Sequence, residues 1–107
     1  MIFDTAPAFR DALPNGGVLI GLDVGSKTVG TAFCDARWSF ASPAELINRS
    51  KFSKDKARLT EIIASRDTKG IVVGFPLNMD GSGSPRSQSS KDFARNIIDM
   101  GLPILLW

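Results

Sequence analysis

The chain holds 107 residues, 43% hydrophobic and 22% charged, with a formal net charge of +2. Values this close to the globular average exclude global disorder and fibrous repeats, and the length sets the expectation of one domain around one modest core. With no histidine and a single cysteine, an intramolecular disulfide, zinc held by histidines or by several cysteines, and a histidine-activated nucleophile are all excluded.

In chain order, residues 1–16 contain two prolines and end in "PNGG", which reads as a loosely packed arm followed by a turn. Val18–Val24 is apolar at nearly every position, as expected of a strand covered on both faces, and residues 28–34 are β-branched and aromatic enough to be its partner. The short link through Gly25, Ser26 and Lys27 makes the two an antiparallel hairpin. Cys34 reads as a small apolar residue packed in the second strand, with no chemistry assigned to it. A third strand is expected over residues 38–41, stopped by Ser42-Pro43.

Ser53 is a candidate cap for a helix with Leu59, Ile62 and Ile63 on one face, ended by the run Asp67-Thr68-Lys69-Gly70. "GIVVGFP" follows as a short buried strand over residues 71–74, and after a polar loop Ser84 and Pro85 suit the N-cap and first turn of a second helix. Phe93, Ala94, Ile97 and Ile98 give that helix its apolar stripe, Gly101 sits at a C-cap position, and "LPILLW" reads as a last strand. The order is βββαβαβ, an α/β fold with a mixed sheet, divided into an arm over residues 1–17 and a domain over 18–107. No apolar run approaches the roughly 20 residues that span a bilayer, and no secretion signal opens the chain, so a cytoplasmic protein without a membrane partner is expected.

Two features invite a functional reading. The segment "RSKFSKDKAR" gathers Arg49, Lys51, Lys54, Lys56 and Arg58 against Asp55 alone, which suits a phosphate-contacting patch as well as a solvated helix start. In a sheet of this order the first and fourth strands lie side by side and parallel, and Asp23 stands inside the apolar first strand at its carboxyl end, where parallel strands place their sites. Burying that charge would cost several kcal/mol unless a metal or strong donors compensated it, so metal ligation and hydrogen bonding to the turn amides are both open.

The blocks "GLDVGSKTVGTAFCD", "ASPAELI", "GIVVGFPLNMDGSGSPRSQ" and "FARNI" followed by "LPILLW" resemble, in order, the motifs of the YqgF/RuvX family. These are ribonuclease H-like proteins described as Holliday junction resolvases and as nucleases that mature the precursor of small-subunit ribosomal RNA. The resemblance runs from Val18 to Trp107, and Phe75, where the family more usually has leucine, is a minor apolar exchange. It implies a ribonuclease H-like fold and a two-metal phosphodiesterase using Mg²⁺ or Mn²⁺, with Asp23 as catalytic carboxylate and metal ligand. It also suggests Asp80 as a second metal ligand, although Asp80 before Gly81 is a standard turn pair, the reading preferred for it. Lys27, Asn78 and Arg86, together with Arg49, Lys51 and Lys54, become candidates for contacting nucleic acid, a ribosomal RNA precursor before junction DNA.

Family members continue past the last strand with an Asp-Glu-Arg segment and a C-terminal helix bringing another acid, whereas this sequence ends at Trp107. The resemblance therefore implies a domain lacking that helix, which by itself cleaves poorly or not at all. It also implies a final strand near a sheet edge, with Leu102, Ile104, Leu105, Leu106 and Trp107 partly exposed and favouring a homodimer. Three other readings stand beside the RNA nuclease. One is a junction-cleaving DNase, one a non-catalytic RNA-binding module. The third is a lobe similar to the actin, hexokinase and chaperone ATPases, whose phosphate hairpin "DVGSKTVG" also resembles, though such proteins need two lobes.

Overall fold

The structure, a computed structural model, describes residues 1–13, 18–35, 41–74 and 85–107. In chain order the elements are β1 (Ile2–Phe3), α1 (Ala6–Asp11), β2 (Val18–Val24), β3 (Thr28–Asp35), β4 (Ala41–Asn48), α2 (Phe52–Ala64), β5 (Thr68–Val73), α3 (Pro85–Asn96), a 3₁₀ turn (Ile98–Met100) and β6 (Ile104–Leu106). The strands form one six-stranded sheet in the order β1-β6-β5-β2-β3-β4. The mixed ribonuclease H-like sheet is as expected, including the antiparallel β2–β3 hairpin and the parallel β2–β5 pair at its centre.

Side-chain alternation along β2 sorts the core into two layers. Ile20, Leu22 and Val24 face α2 and α3, where they join Val29, Phe33, Leu59, Ile62, Ile71, Val73, Phe93 and Ile97 in the main core. On the opposite face a smaller cluster holds Leu19, Leu105 and Phe9 of α1. The stripe on α2 buries Leu59 and Ile62, and Ile63 packs partly against the same core. On α3, Phe93 and Ala94 are buried and Ile97 follows, whereas Ile98 turns out to solvent because the 3₁₀ turn breaks the helical spacing after Asn96. Gly101 caps that turn in the left-handed region, at φ 81°, where a side chain would be strained.

Four expectations change. Residues 1–13 are not a loose lead-in: β1 pairs in parallel with β6, and the Phe9 side chain is fully buried. That pairing moves β6 off the edge and buries Ile104 and Leu105, so the strand expected to favour dimers is covered along most of its length, with Trp107 still 69% exposed. The strand after the hairpin is Ala41–Asn48 and runs straight through Pro43, because β4 is an edge strand and tolerates the missing N–H; the expected start at residues 38–40 lies outside the described residues. Finally, α2 begins at Phe52 after Lys51 and stops at Ala64, and Thr68, Lys69 and Gly70 already belong to β5. Its start is fixed by Asp55, 3% exposed, whose carboxylate accepts the Ser50 N–H at 3.0 Å and the Ser50 hydroxyl at 3.2 Å.

Candidate nucleic-acid site

Asp23 is the next-to-last residue of β2, opposite Gly30 of β3, and β5 ends alongside it where the Gly74 N–H meets the Leu22 carbonyl at 2.9 Å. It is not buried: its side chain is 79% exposed. The reason is alternation. Asp23 points away from Leu22 and Val24, onto the face where Gly21, Gly30 and Ala32 offer little bulk and α1 covers only the Leu19 end. The desolvation argument for a metal at this position therefore falls.

What meets Asp23 is an arginine from 63 positions along the chain. Arg86, in the first turn of α3, donates from Nη2 to Asp23 Oδ1 at 2.5 Å, and its Nε approaches the Val24 carbonyl at 3.4 Å. Beside this pair opens a groove of about 600 Å³ between the β2–β3 turn and α3, lined by Gly25, Ser26, Lys27, Thr28, Arg86 and Ser89. A second groove, sharing Pro85 and Ser89 with the first, runs on past Arg49, Gln88 and Asn96.

The basic residues divide by environment. Arg49 is a strut between elements: its N–H bonds the Lys27 carbonyl at 2.8 Å, its Nη1 bonds the Gly25 carbonyl at 2.7 Å, and its guanidinium lies 5.8 Å from the Phe93 ring centroid. It fixes the turn carrying Lys27 against α3 while keeping its charge at the second groove. Lys56 pairs with Asp99 at 2.5 Å, and Arg58 pairs with Glu45 at 2.5 Å and Glu61 at 2.9 Å, so these two are neutralised within the molecule. The Arg58 hydrogen bond lowers the Glu45 carboxyl from its ordinary value, opposed by desolvation and helped by the Arg58 charge. Lys51 and Lys54 are exposed at the start of α2 and are not among the residues lining the two grooves.

Asn78 and Asp80 lie outside the described residues. Among the described residues no three acidic, histidine or cysteine side chains come together. Asp23 suits a hard cation as one exposed anionic oxygen ligand, but one carboxylate held by an arginine does not complete a metal site. The linkage of Asp23 to Arg86 and the place of Ser89 in both grooves have no local sequence signal, because both depend on how α3 docks against the hairpin. Among the described residues no helix is long and apolar enough to cross a membrane.

The fold is ribonuclease H-like. It resembles RuvC of Thermus thermophilus, solved with a Holliday junction substrate, at a TM-score of 0.58 and 14% identity over 84% of this chain and 63% of that one. A further neighbour is Pelota of Archaeoglobus fulgidus, at a TM-score of 0.56 and 13% identity over 94% of this chain and 28% of that one. The family model of RuvX, described as a Holliday junction resolvase, matches residues 17–107. Over the whole chain, identity reaches 59% with a protein of Sphingopyxis alaskensis and 58% with one of Novosphingobium aromaticivorans, covering 70% and 69% of their lengths. Both carry the name of a candidate pre-16S rRNA nuclease. The chain belongs to the RuvX family, and so to a family of nucleases, hydrolases of phosphodiester bonds.

Proposed function

We propose that this chain is a nuclease that trims the 5′ end of precursor 16S ribosomal RNA, working in the cytoplasm, with Asp23 as its catalytic carboxylate. The observation that carries the reading is the juxtaposition at the carboxyl end of the two central parallel strands: an exposed carboxylate, Asp23, borders a groove that presents Lys27 and Arg86. The substrate assignment is supported by the 59% identity to a candidate pre-16S rRNA nuclease. Asp23 would hold Mg²⁺ or Mn²⁺ as one ligand of a larger set, with Asp80 proposed as another, and such an ion when bound supplies Lewis-acid activation at the phosphate. The chain's own residues bind and orient: Lys27 and Arg86 take phosphate oxygens in the groove, and Arg49 keeps the Lys27 turn in register with α3. Asn78, Lys51 and Lys54 are proposed as further nucleic-acid contacts.

The test is single-turnover incubation of end-labelled 16S precursor RNA and of a four-way DNA junction with excess protein, in Mg²⁺ or Mn²⁺. Slow cleavage of the RNA that disappears in Asp23→Asn is expected, and preferential cutting of the junction would reassign the substrate. The Arg86–Asp23 pair favours one second reading, a non-catalytic RNA-binding module, which predicts salt-sensitive RNA binding indifferent to divalent cations and to Asp23→Asn.

A further inference from the structure

The two grooves beside α3 differ in what they can hold. The first presents Lys27 and Arg86, and among the described residues its lining contains no acid, so it suits a phosphate. The second adjoins it through Pro85 and Ser89 and has a volume of about 410 Å³, in the range of pockets that take small molecules. Among the described residues its lining sets one cation, Arg49, against one carboxylate, Asp92. A phosphate there would gain from Arg49 and lose to Asp92. Charge therefore directs the backbone of a strand to the first groove and leaves the second for an uncharged part of it.

The walls of the second groove suit a base. Phe52 lines it with a half-buried ring, held edge-on against the buried Phe93 at 5.5 Å between centroids and 82° between planes. Fixed aromatic rings of this kind are the surfaces on which unpaired bases stack. Along α3, Gln88, Asp92 and Asn96 follow at four-residue spacing on the groove face. Gln88 Nε2 donates to Asp92 Oδ1 at 2.9 Å and restrains the carboxylate, while Arg49 spends Nη1 on the Gly25 carbonyl and keeps the rest of its fork. Among the described residues neither Arg49 nor Asp92 has a salt-bridge partner. One carboxylate and one guanidinium in the same groove discriminate between bases. Guanine pairs a two-donor edge, N1–H with the N2 amino group, with a two-acceptor edge, O6 with N7, whereas the edges of adenine, cytosine and uracil alternate donors and acceptors.

We propose that the second groove is a nucleobase subsite with a preference for guanine, Asp92 accepting from the donor edge and Arg49 donating to the acceptor edge, on a strand whose phosphate lies in the first groove. The inference rests on the reading of the first groove as a nucleic-acid site and calls for no metal ion. Its consequence is register. Phosphate contacts hold a strand at any position, and a base seated beside Asp92 fixes which position that is.

The experiment measures binding of the full chain to labelled short 2′-O-methyl RNA strands of uridine that carry one central guanosine, adenosine, cytidine or inosine, by fluorescence anisotropy with divalent cations chelated. Wild type, Asp92→Asn, Gln88→Ala and Lys27→Ala are compared, with circular dichroism confirming that each is folded. Wild type should bind the guanosine strand about five- to tenfold more tightly than all-uridine, the low end of what a bidentate base contact supports. Inosine, which lacks only the N2 amino group, should fall between the two. Asp92→Asn should bring the guanosine-to-uridine ratio close to one, Gln88→Ala should lower it part of the way, and Lys27→Ala should weaken every strand and keep the ratio. A ratio of one in wild type, with affinity that still falls in Lys27→Ala, overturns the base subsite and leaves the phosphate groove standing. A guanine preference that survives in Asp92→Asn, with every strand merely bound more tightly as the loss of a repulsive surface charge would give, also overturns it. Binding of no strand at all overturns the nucleic-acid reading of the first groove, and the subsite with it.

Discussion

Gly70→Ala tests the docking of α1 through the sign of its effect. Gly70 lies in β5 with no left-handed backbone requirement, so for an ordinary strand glycine the change would leave stability unchanged or raise it by about 0.4–1 kcal/mol, through reduced freedom of the unfolded chain. Here the added Cβ would come within 2.8 Å of Leu13 Cδ2, 2.8 Å of Phe9 Cζ and 3.0 Å of Leu19 Cδ2. Leu13, half-buried, can give way, but Phe9 and Leu19 are sealed in the second core layer and cannot swing out. Relief requires α1 to lift from the sheet by several tenths of an ångström, and overpacking of this type costs about 1–3 kcal/mol. At about 4–8 °C per kcal/mol for a domain of this size, the midpoint of thermal unfolding should fall by roughly 5–20 °C. Urea unfolding followed by Trp fluorescence should give the same order. In the Phe9→Leu background, which removes the nearest ring atom, the penalty of Gly70→Ala should shrink, and the double-mutant cycle should return a coupling of about 1 kcal/mol. A melting point that rises in Gly70→Ala would refute the placement of α1 on Gly70 and with it the account of how the arm joins the core.

Other outcomes follow from contacts already described or closely related to them. Thr31, 7% exposed, donates its hydroxyl to the Glu45 carbonyl at 2.7 Å and accepts the Glu45 N–H at 2.8 Å, bridging the irregular step between Gly30 and Ala32. Thr31→Val keeps the shape and strips both bonds, so chemical denaturation should show a loss of about 1–3 kcal/mol, with Thr31→Ser recovering part of it. The Glu45 carboxyl is lowered from its ordinary value by Arg58, so its contribution to stability is present above its unfolded value and lost as pH falls through the lowered one. Unfolding midpoints taken from about pH 5 down to about pH 3 should therefore fall less steeply in Glu45→Gln than in wild type. Arg49→Ala should weaken RNA binding and loosen the turn at once, visible as faster hydrogen exchange at Lys27 and Thr28, whereas Lys51→Ala should change only the salt-sensitive part of binding.

Much of the fold could be read from local pattern, and the rest failed where a long-range partner decided the outcome. The hairpin announced itself through two apolar runs around Gly25, and α2 and α3 through stripes that do bury Leu59, Ile62, Phe93 and Ala94. The parallel pairing of β2 with β5 could be read from the order of the elements as a whole, not from either strand's own residues. The segments β1 and α1 are too short to show a period, and they owe their existence to β6 and to the absence of a side chain at Gly70. Pro43 looks like a breaker until its strand is known to lie at an edge. The same limit governs the site. Asp23 was legible as an oddity and through the family's blocks, but its exposure depends on small residues across β3, and its partner Arg86 arrives on a different helix.

The pairing of Ile2 with Ile104 also dictates when the sheet can be finished. On the ribosome, β1 is made long before its partner β6, so its backbone waits unpaired while β2 to β5 are made, and α1, which can meet Leu19 and Gly70 earlier, still lacks Leu105. Closing a loop of about 100 residues carries an entropic cost on the order of 4 kcal/mol, reduced to the extent that β2, β5 and β6 have already assembled. The central hairpin and the helices on its α2/α3 side can form as they appear, while the opposite face is completed only when β6 brings Leu105 and the partner of β1. For that interval the nascent protein exposes Phe3 on an unpaired strand, the surface that chaperones hold and that neighbouring nascent chains can capture.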